Sequence, residues 1–243
     1  MHDALVESCD VYFYTIGHRL GIDNLAYYAK KFGLGVPTGL GLKSEKSGLV
    51  PTTQWKLKNR KEPWFLGETI SASIGQGFNL VTPLQQANMM VAVANGGILL
   101  KPYLVKRIED PEGNVLEEFF PEIKGKIRGN SENLEIIRKA LRDVVNGPKG
   151  TGKKSKLQNI IVSGKTGTVQ VVRMKTKKGF NKEEVPYNHR DHAWFVGFAP
   201  YEKPEIAVAV LVEHGGHGGA TAAPIAKKII KKYFQLYTHK PAA

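Results

Sequence analysis

The chain has 243 residues, 42% hydrophobic and 23% charged, with a formal net charge of +13 and a single cysteine, Cys9. This balance is that of a globular chain able to bury a sizeable core, and it excludes a disordered segment, while one cysteine excludes an internal disulfide. No apolar run reaches the roughly 18 residues of a membrane span: the best, residues 89–100, is broken by Asn95-Gly96-Gly97, and the first seven residues show no basic-then-apolar order that would predict a signal peptide.

Residues 8–32 read as two short helices, with Val11, Phe13, Tyr14 and Leu20 apolar, Gly21 as the break, and Asn24 to Phe32 as the second. Gly33 to Pro51 is rich in Gly and Pro and reads as loop. Thr82-Pro83 opens a helix, the threonine capping and the proline in the first turn; Leu84, Ala87, Met90, Val91 and Ala94 follow at helical spacing until Asn95-Gly96-Gly97 ends it. Ile98 to Phe120 predicts one strand–turn–strand unit, turning at Asp110-Pro111-Glu112-Gly113-Asn114. Ser131 is placed to cap a helix whose apolar stripe is Leu134, Ile137, Leu141 and Val144. After a Gly-rich loop at 147–152 come three predicted strands, 160–173, 193–199 and 206–213, the first two joined by a long basic connection at 173–190. A helix from about Ala222 to Tyr237 closes the chain. Helices followed by consecutive strands and a closing helix predict an α/β fold of the α+β type, an antiparallel sheet flanked by helices, with no repeat and no domain linker.

The charge is uneven. Residues 124–182 hold 16 Lys/Arg against 3 Asp/Glu, whereas the 19 basic and 19 acidic residues elsewhere cancel. Such a patch attracts nucleic acid, anionic lipid or an anionic wall polymer, or it is simply a solvated lysine-rich surface. Phe180 is its only aromatic, so stacking partners for a nucleic acid are lacking. No nucleic-acid partner is expected.

Lys165-Thr166-Gly167-Thr168 lies inside a β-rich run. A cation, two hydroxyls and a glycine on a strand beside a cleft can bind a carboxylate, the glycine letting a ligand come close to the backbone. Lys-Thr-Gly is the third signature of penicillin-interacting serine enzymes; the others are Ser-x-x-Lys and a Ser-x-Asn or Ser-x-Asp triad. Ser8-Cys9-Asp10 fits the triad, although alone it reads first as helix capping. No Ser-x-x-Lys occurs in the 243 residues.

Rival motifs are weaker. Gly147-Pro148-Lys149-Gly150-Thr151-Gly152-Lys153 nearly spells a phosphate loop, but Lys154 stands where a magnesium-binding hydroxyl belongs and a helix precedes it, so a plain glycine turn is expected. Thr151 and Lys154 have no helix start to orient them as a hydroxyl–lysine pair. His189 and His192, and His214 and His217, are three apart with Asp191 nearby; neither pair has a third ligand or a scaffold, and no metal is expected. The stretch His214 to Gly219 reads as a flexible turn, and Trp194, Phe195 and Phe198 as sheet core.

Several pieces carry a resemblance in order along the chain. They are Glu7 to Tyr14; Lys31-Phe32-Gly33-Leu34-Gly35 with Thr38-Gly39; Ile74-Gly75-Gln76-Gly77 with Thr82-Pro83-Leu84-Gln85; Val144-Val145-Asn146-Gly147 with Gly150-Thr151-Gly152; Ser163 to Thr168; and His192 to Pro200. The chain resembles the C-terminal part of the transpeptidase domain of class B penicillin-binding proteins, most of all the penicillin-binding protein 2 branch. The resemblance implies a β-lactamase and D,D-transpeptidase-like fold and peptidoglycan cross-linking during cell elongation. It implies no cofactor, with D-Ala-D-Ala stem peptides and β-lactams as ligands and membrane proteins of the elongation machinery as partners. The parent would be anchored in the cytoplasmic membrane with this domain outside. By the same resemblance Ser8 relays a proton and Asp10 holds its hydroxyl. Lys165, Thr166 and Thr168 receive the terminal carboxylate, Gly167 keeps the edge open, and the Thr168 amide is half of an oxyanion hole. In that family the nucleophilic serine precedes the triad, and seven residues precede Ser8 here. Residues 1–243 are therefore expected to be a C-terminal portion of the domain, inactive alone; a non-catalytic module binding stem peptide or a partner is the alternative.

Overall fold

The computed structural model describes residues 1–127, 131–171 and 185–237. Two layers meet at a three-stranded antiparallel sheet of β5 (Ser163–Val169), β6 (His192–Ala199) and β7 (Ile206–Val212), in that spatial order. Strand alternation sorts β6 into two cores. Ala193, Phe195 and Ala199 face helix α8 (Gly218–Tyr237), packing with Val162, Val208, Val210, Ala222, Ala226 and Ile230. Val196 and Phe198 face the other way, onto Met90, Val93 and Leu141. Of the three aromatics read from the sequence as sheet core, Phe195 and Phe198 are each 0% exposed and fill one layer each, whereas Trp194 is half-buried and lines a cavity.

Six helices precede the strands, the first five being α1 (His2–Val6), α2 (Asp10–Leu20), α3 (Ile22–Lys31), α4 (Thr53–Arg60) and α5 (Leu66–Ala72). Of these α2 and α3 follow the predicted pair, divided at Gly21, whose φ of 72° an L side chain rarely adopts. A Cβ at Gly17 would lie 2.3 Å from the Ser73 Cβ, which fixes how closely α2 and the end of α5 approach. Helix α6 (Pro83–Ala94) begins where the threonine cap and proline place it, and a capping box closes it: Gln85 N–H donates to Thr82 Oγ1 at 3.1 Å and Thr82 N–H to Gln85 Oε1 at 3.0 Å. The same buried Gln85 donates from Nε2 to the carbonyls of Val36 and Ser47, at 2.7 and 2.8 Å, tying the 33–51 loop across α6's first turn.

The single hairpin expected over 98–120 is two nested ladders. β1 (Ile98–Lys101) pairs with β4 (Glu122–Lys126), and a short hairpin of β2 (Arg107–Glu109) and β3 (Val115–Glu118) is inserted between them. Pro102, which has no amide to donate, ends β1 and releases the chain. The turn lies where expected, with Asn114 N–H and Nδ2 both donating to Asp110. Helix α7 (Ser131–Asn146) carries the predicted stripe; its Arg138 donates to the carbonyls of Ala94 and Tyr201 at 2.7 Å each, bracing α6 and the β6–β7 turn. β5 is shorter than 160–173, of which 172 and 173 fall outside the described residues, as does most of the 173–190 connection. Among the described residues no helix is long and apolar enough to cross a membrane.

Candidate active site

Among the described residues β5 is an edge strand, with β6 as its one strand neighbour. Its register sets Lys165 opposite Val196 and Gly167 opposite Trp194, on one face; Thr166 and Thr168 stand opposite Phe195 and Ala193, on the other. The ammonium and the two hydroxyls therefore leave the strand in opposite directions and meet only around its free edge.

On the first face Lys165 Nζ donates to Ser8 Oγ at 2.9 Å and to its neighbour's carbonyl, Thr166 O, at 3.0 Å. Ser8 caps nothing: Cys9 occupies the N-cap of α2, and Ser8 itself stands at φ 57° just before it, its hydroxyl turned to the lysine. Asp10, the first residue of α2, carries a negative charge that acts on Lys165. Burial dominates, though, and pushes the Lys165 ammonium down to about 8, the Asp10 carboxylate working in the other direction. Lys165 also lines a largely apolar cavity of about 540 Å³, walled by Ile22, Leu25 and Ala26 of α3 and by Trp194, Val196 and Leu211 of the sheet.

On the second face the N-terminus of α8 abuts the strand. Gly218 N–H points to Thr168 Oγ1 at 3.4 Å, and Thr151 and Thr166 share a hydroxyl–hydroxyl hydrogen bond at 3.0 Å. A Cβ at Gly218 would fall 2.3 Å from both Gly167 O and Trp194 O, and one at Gly219 would fall 2.6 Å from Thr151 O. The last two residues of the supposed flexible turn are thus the first turn of α8, where nothing larger than glycine fits. The near-phosphate-loop at 147–153 wraps the end of α7 instead, with Gly152 N–H on Val144 O, and delivers the Thr151 hydroxyl to the site. His192 and His214 pack ring to ring at 4.8 Å, and His192 Nδ1 accepts the His214 backbone N–H at 2.9 Å. Among the described residues no three His, Cys, Asp or Glu side chains converge as metal ligands.

Sequence reading missed three participants. Thr151 belongs to a piece that carries the resemblance, but its contact with Thr166 was not foreseen in a loop read as a turn. Gly218 matters only through what packs on it. Gln76 reaches the edge of β5 from a loop 92 residues earlier, Nε2 donating to Thr168 O at 3.0 Å and Oε1 accepting Gln170 N–H at 3.4 Å. Its sequence signals are its place between Gly75 and Gly77, both at positive φ, and its membership of a piece that carries the resemblance; neither reveals the contact with β5.

Residues 1–231 match the family model described as "Penicillin binding protein transpeptidase domain". The chain is 38% identical over 242 residues to the peptidoglycan D,D-transpeptidase MrdA of Haemophilus influenzae, covering 96% of this chain and 36% of that protein. It is similar in structure to penicillin-binding protein 2 of Pseudomonas aeruginosa in complex with WCK 5153, with a TM-score of 0.81, 35% identity, and coverage of 100% of this chain and 49% of that one. Penicillin-binding protein 2 of Helicobacter pylori in complex with MreC also aligns at a TM-score of 0.81, with 32% identity over 98% of this chain and 40% of that one. The chain spans about a third of the length of the curated relatives it matches.

Proposed function

This chain belongs to the penicillin binding protein transpeptidase family, of the penicillin-binding protein 2 type, and we propose that it forms the carboxylate-binding wall of a peptidoglycan D,D-transpeptidase cleft. The observation that carries this reading is the Lys165–Ser8 hydrogen bond, which joins the two signature motifs across the groove beside β5.

In this reading a D-Ala-D-Ala stem peptide lies along the β5 edge with its terminal carboxylate among Lys165, Thr166 and Thr168. A nucleophilic serine, supplied by polypeptide outside these 243 residues, attacks the penultimate carbonyl. The Thr168 N–H takes up the developing oxyanion; one such donor is typically worth about 3 kcal/mol of transition-state stabilisation. The C–N bond breaks, the leaving D-Ala amine takes a proton relayed through Ser8, and the acyl group remains as a serine ester. An amine of a neighbouring stem then attacks that ester, forming the cross-link and returning the proton to the serine. Asp10 orients the Ser8 region, and Gly167 keeps the edge clear. β-Lactams would enter by the same carboxylate contacts. We place the domain on the outer side of the cytoplasmic membrane, where peptidoglycan lies, with membrane proteins of the elongation machinery as partners; that the Helicobacter pylori relative forms a complex with MreC supports a protein partner for this domain.

Fluorescent penicillin tests the reading. The intact protein containing this chain should be labelled covalently, and residues 1–243 alone should not. An adduct on Ser8 or Thr166 of the isolated chain would overturn the assignment of roles, and an unlabelled intact protein would overturn the function.

A further inference from the structure

The free edge of β5 is not bare beyond Thr168. In a parallel ladder one residue donates its N–H to the carbonyl before its partner and accepts the N–H of the residue after it. The Gln76 carboxamide does both around Val169, donating to Thr168 O and accepting from Gln170 N–H. It thus acts as one residue of a parallel strand built from a side chain. The backbone behind it is braced: Gln76 N–H donates to Ser71 O at 3.0 Å, and its own carbonyl accepts from Asn79 Nδ2 at 3.1 Å. Flanking glycines at φ 79° and 73° let the loop turn sharply on both sides, so that this one side chain projects to the strand.

An edge strand with unpaired peptide groups is free to twist or bulge, and the Thr168 peptide unit is the one from which an oxyanion donor would have to be aimed. We propose that Gln76 is a positioning residue for acyl transfer: by standing in for a parallel strand at Thr168 and Gln170 it keeps β5 extended past Thr168 and holds that residue's amide on line. This inference rests on the transpeptidase reading above. It also implies that an extended peptide added to this edge meets an occupied ladder position after Thr168, so its pairing ends there.

The test uses the intact protein and single-turnover acylation by a fluorescent penicillin, which separates the dissociation constant of the non-covalent complex from the acylation rate constant. Gln76→Glu keeps the shape and the acceptor for Gln170 N–H but removes the donor to Thr168 O; Gln76→Met keeps the length and removes both. Each should lower the acylation rate constant about tenfold or more, as small misplacements of reacting groups do, while the dissociation constant stays that of the wild type. The proposal is overturned if either variant acylates at the wild-type rate, if the loss appears in the dissociation constant, or if it disappears at a temperature where the variant is fully folded. An intact wild-type protein that does not acylate would instead sink the transpeptidase reading, and this inference with it. A wild type that acylates beside an equally fast Gln76→Met sinks only the role of Gln76.

Discussion

Lys165 Nζ and Ser8 Oγ are 2.9 Å apart although 157 residues separate them in the chain. The lysine that makes this bond is held at about 8, well below its ordinary 10.5, chiefly by burial. A carboxylate ligand needs the ammonium form, so binding of a D-Ala-D-Ala peptide should weaken as pH rises through about 8. Lys165→Arg keeps its charge over that range and should lose this alkaline limb, whatever its affinity; a peptide titration from pH 6 to 10 checks both.

The same shift has a consequence for folding. Between about 8 and 10.5 the unfolded chain holds a proton on Lys165 that the folded chain has given up. The destabilisation is thus fully present below about pH 8 and is relieved as pH rises towards 10.5. Urea midpoints compared between wild type and Lys165→Met should converge across that window, with the wild type gaining.

Ser8 stands at φ 57°, a conformation that glycine adopts freely and alanine does not. Ser8→Ala and Ser8→Gly both delete the hydroxyl that Lys165 contacts, so both should slow acylation to a similar degree. Their stabilities should differ by about 1 kcal/mol in favour of glycine. Chemical denaturation beside a penicillin-acylation rate separates the two effects.

At Gly218 a methyl group would meet two backbone carbonyls, Gly167 O and Trp194 O, neither the tip of a flexible side chain. Gly218→Ala should cost roughly 1–3 kcal/mol by overpacking and push α8 away from β5, so acylation falls along with stability. Gly216, with φ 76° and nothing within 4 Å, is a useful contrast: alanine there strains the backbone but leaves the strand untouched, and the acylation rate of the folded protein should not change.

Lys56 is 1% exposed; its ammonium donates to Glu68 Oε1 and lies 4.2 Å from the Phe65 ring centroid. Glu68 Oε2 in turn accepts Phe65 N–H at 2.8 Å and closes the start of α5. Lys56→Met should destabilise the protein by about 2–3 kcal/mol. That is below the usual cost of breaking a buried pair, because Glu68 keeps some solvent and its backbone partner. Urea unfolding measures it.

Much of this architecture could be read from the residues because local chemistry and tertiary context agree. Thr82-Pro83 and Gln85 specify a helix start in any setting, and the alternation of Ala193, Phe195 and Val196, Phe198 matches a sheet covered on both faces. The antiparallel sheet flanked by helices followed from such signals. Helices α4 and α5 escaped notice because neither carries a clear apolar stripe, and what joins them, the Lys56–Glu68 pair and Trp64 Nε1 donating to Thr69 Oγ1, has no periodic signal. The β1–β4 pairing was hidden by the hairpin inserted between its strands. At the site, Lys-Thr-Gly was visible as a tripeptide, but which side chains surround it depends on contacts spanning 15 to 157 residues of chain. Cations and hydroxyls announce themselves in a sequence; an amide acting as a piece of strand, or a glycine defined by its neighbours, does not.

One buried carboxamide both starts α6 and knots the 33–51 loop, because Gln85 spends its oxygen on Thr82 and its nitrogen on Val36 and Ser47. The loop carries a tie of its own as well, Glu45 accepting the N–H groups of Thr38 and Gly39, so the stretch between 39 and 45 is closed independently of α6 and the Gln85 contacts fix only where that closed loop is docked. Position 85 therefore admits no substitute: glutamate lacks the donors, asparagine lacks the reach, and an apolar residue would unfasten the helix start and the docking of the loop in a single step.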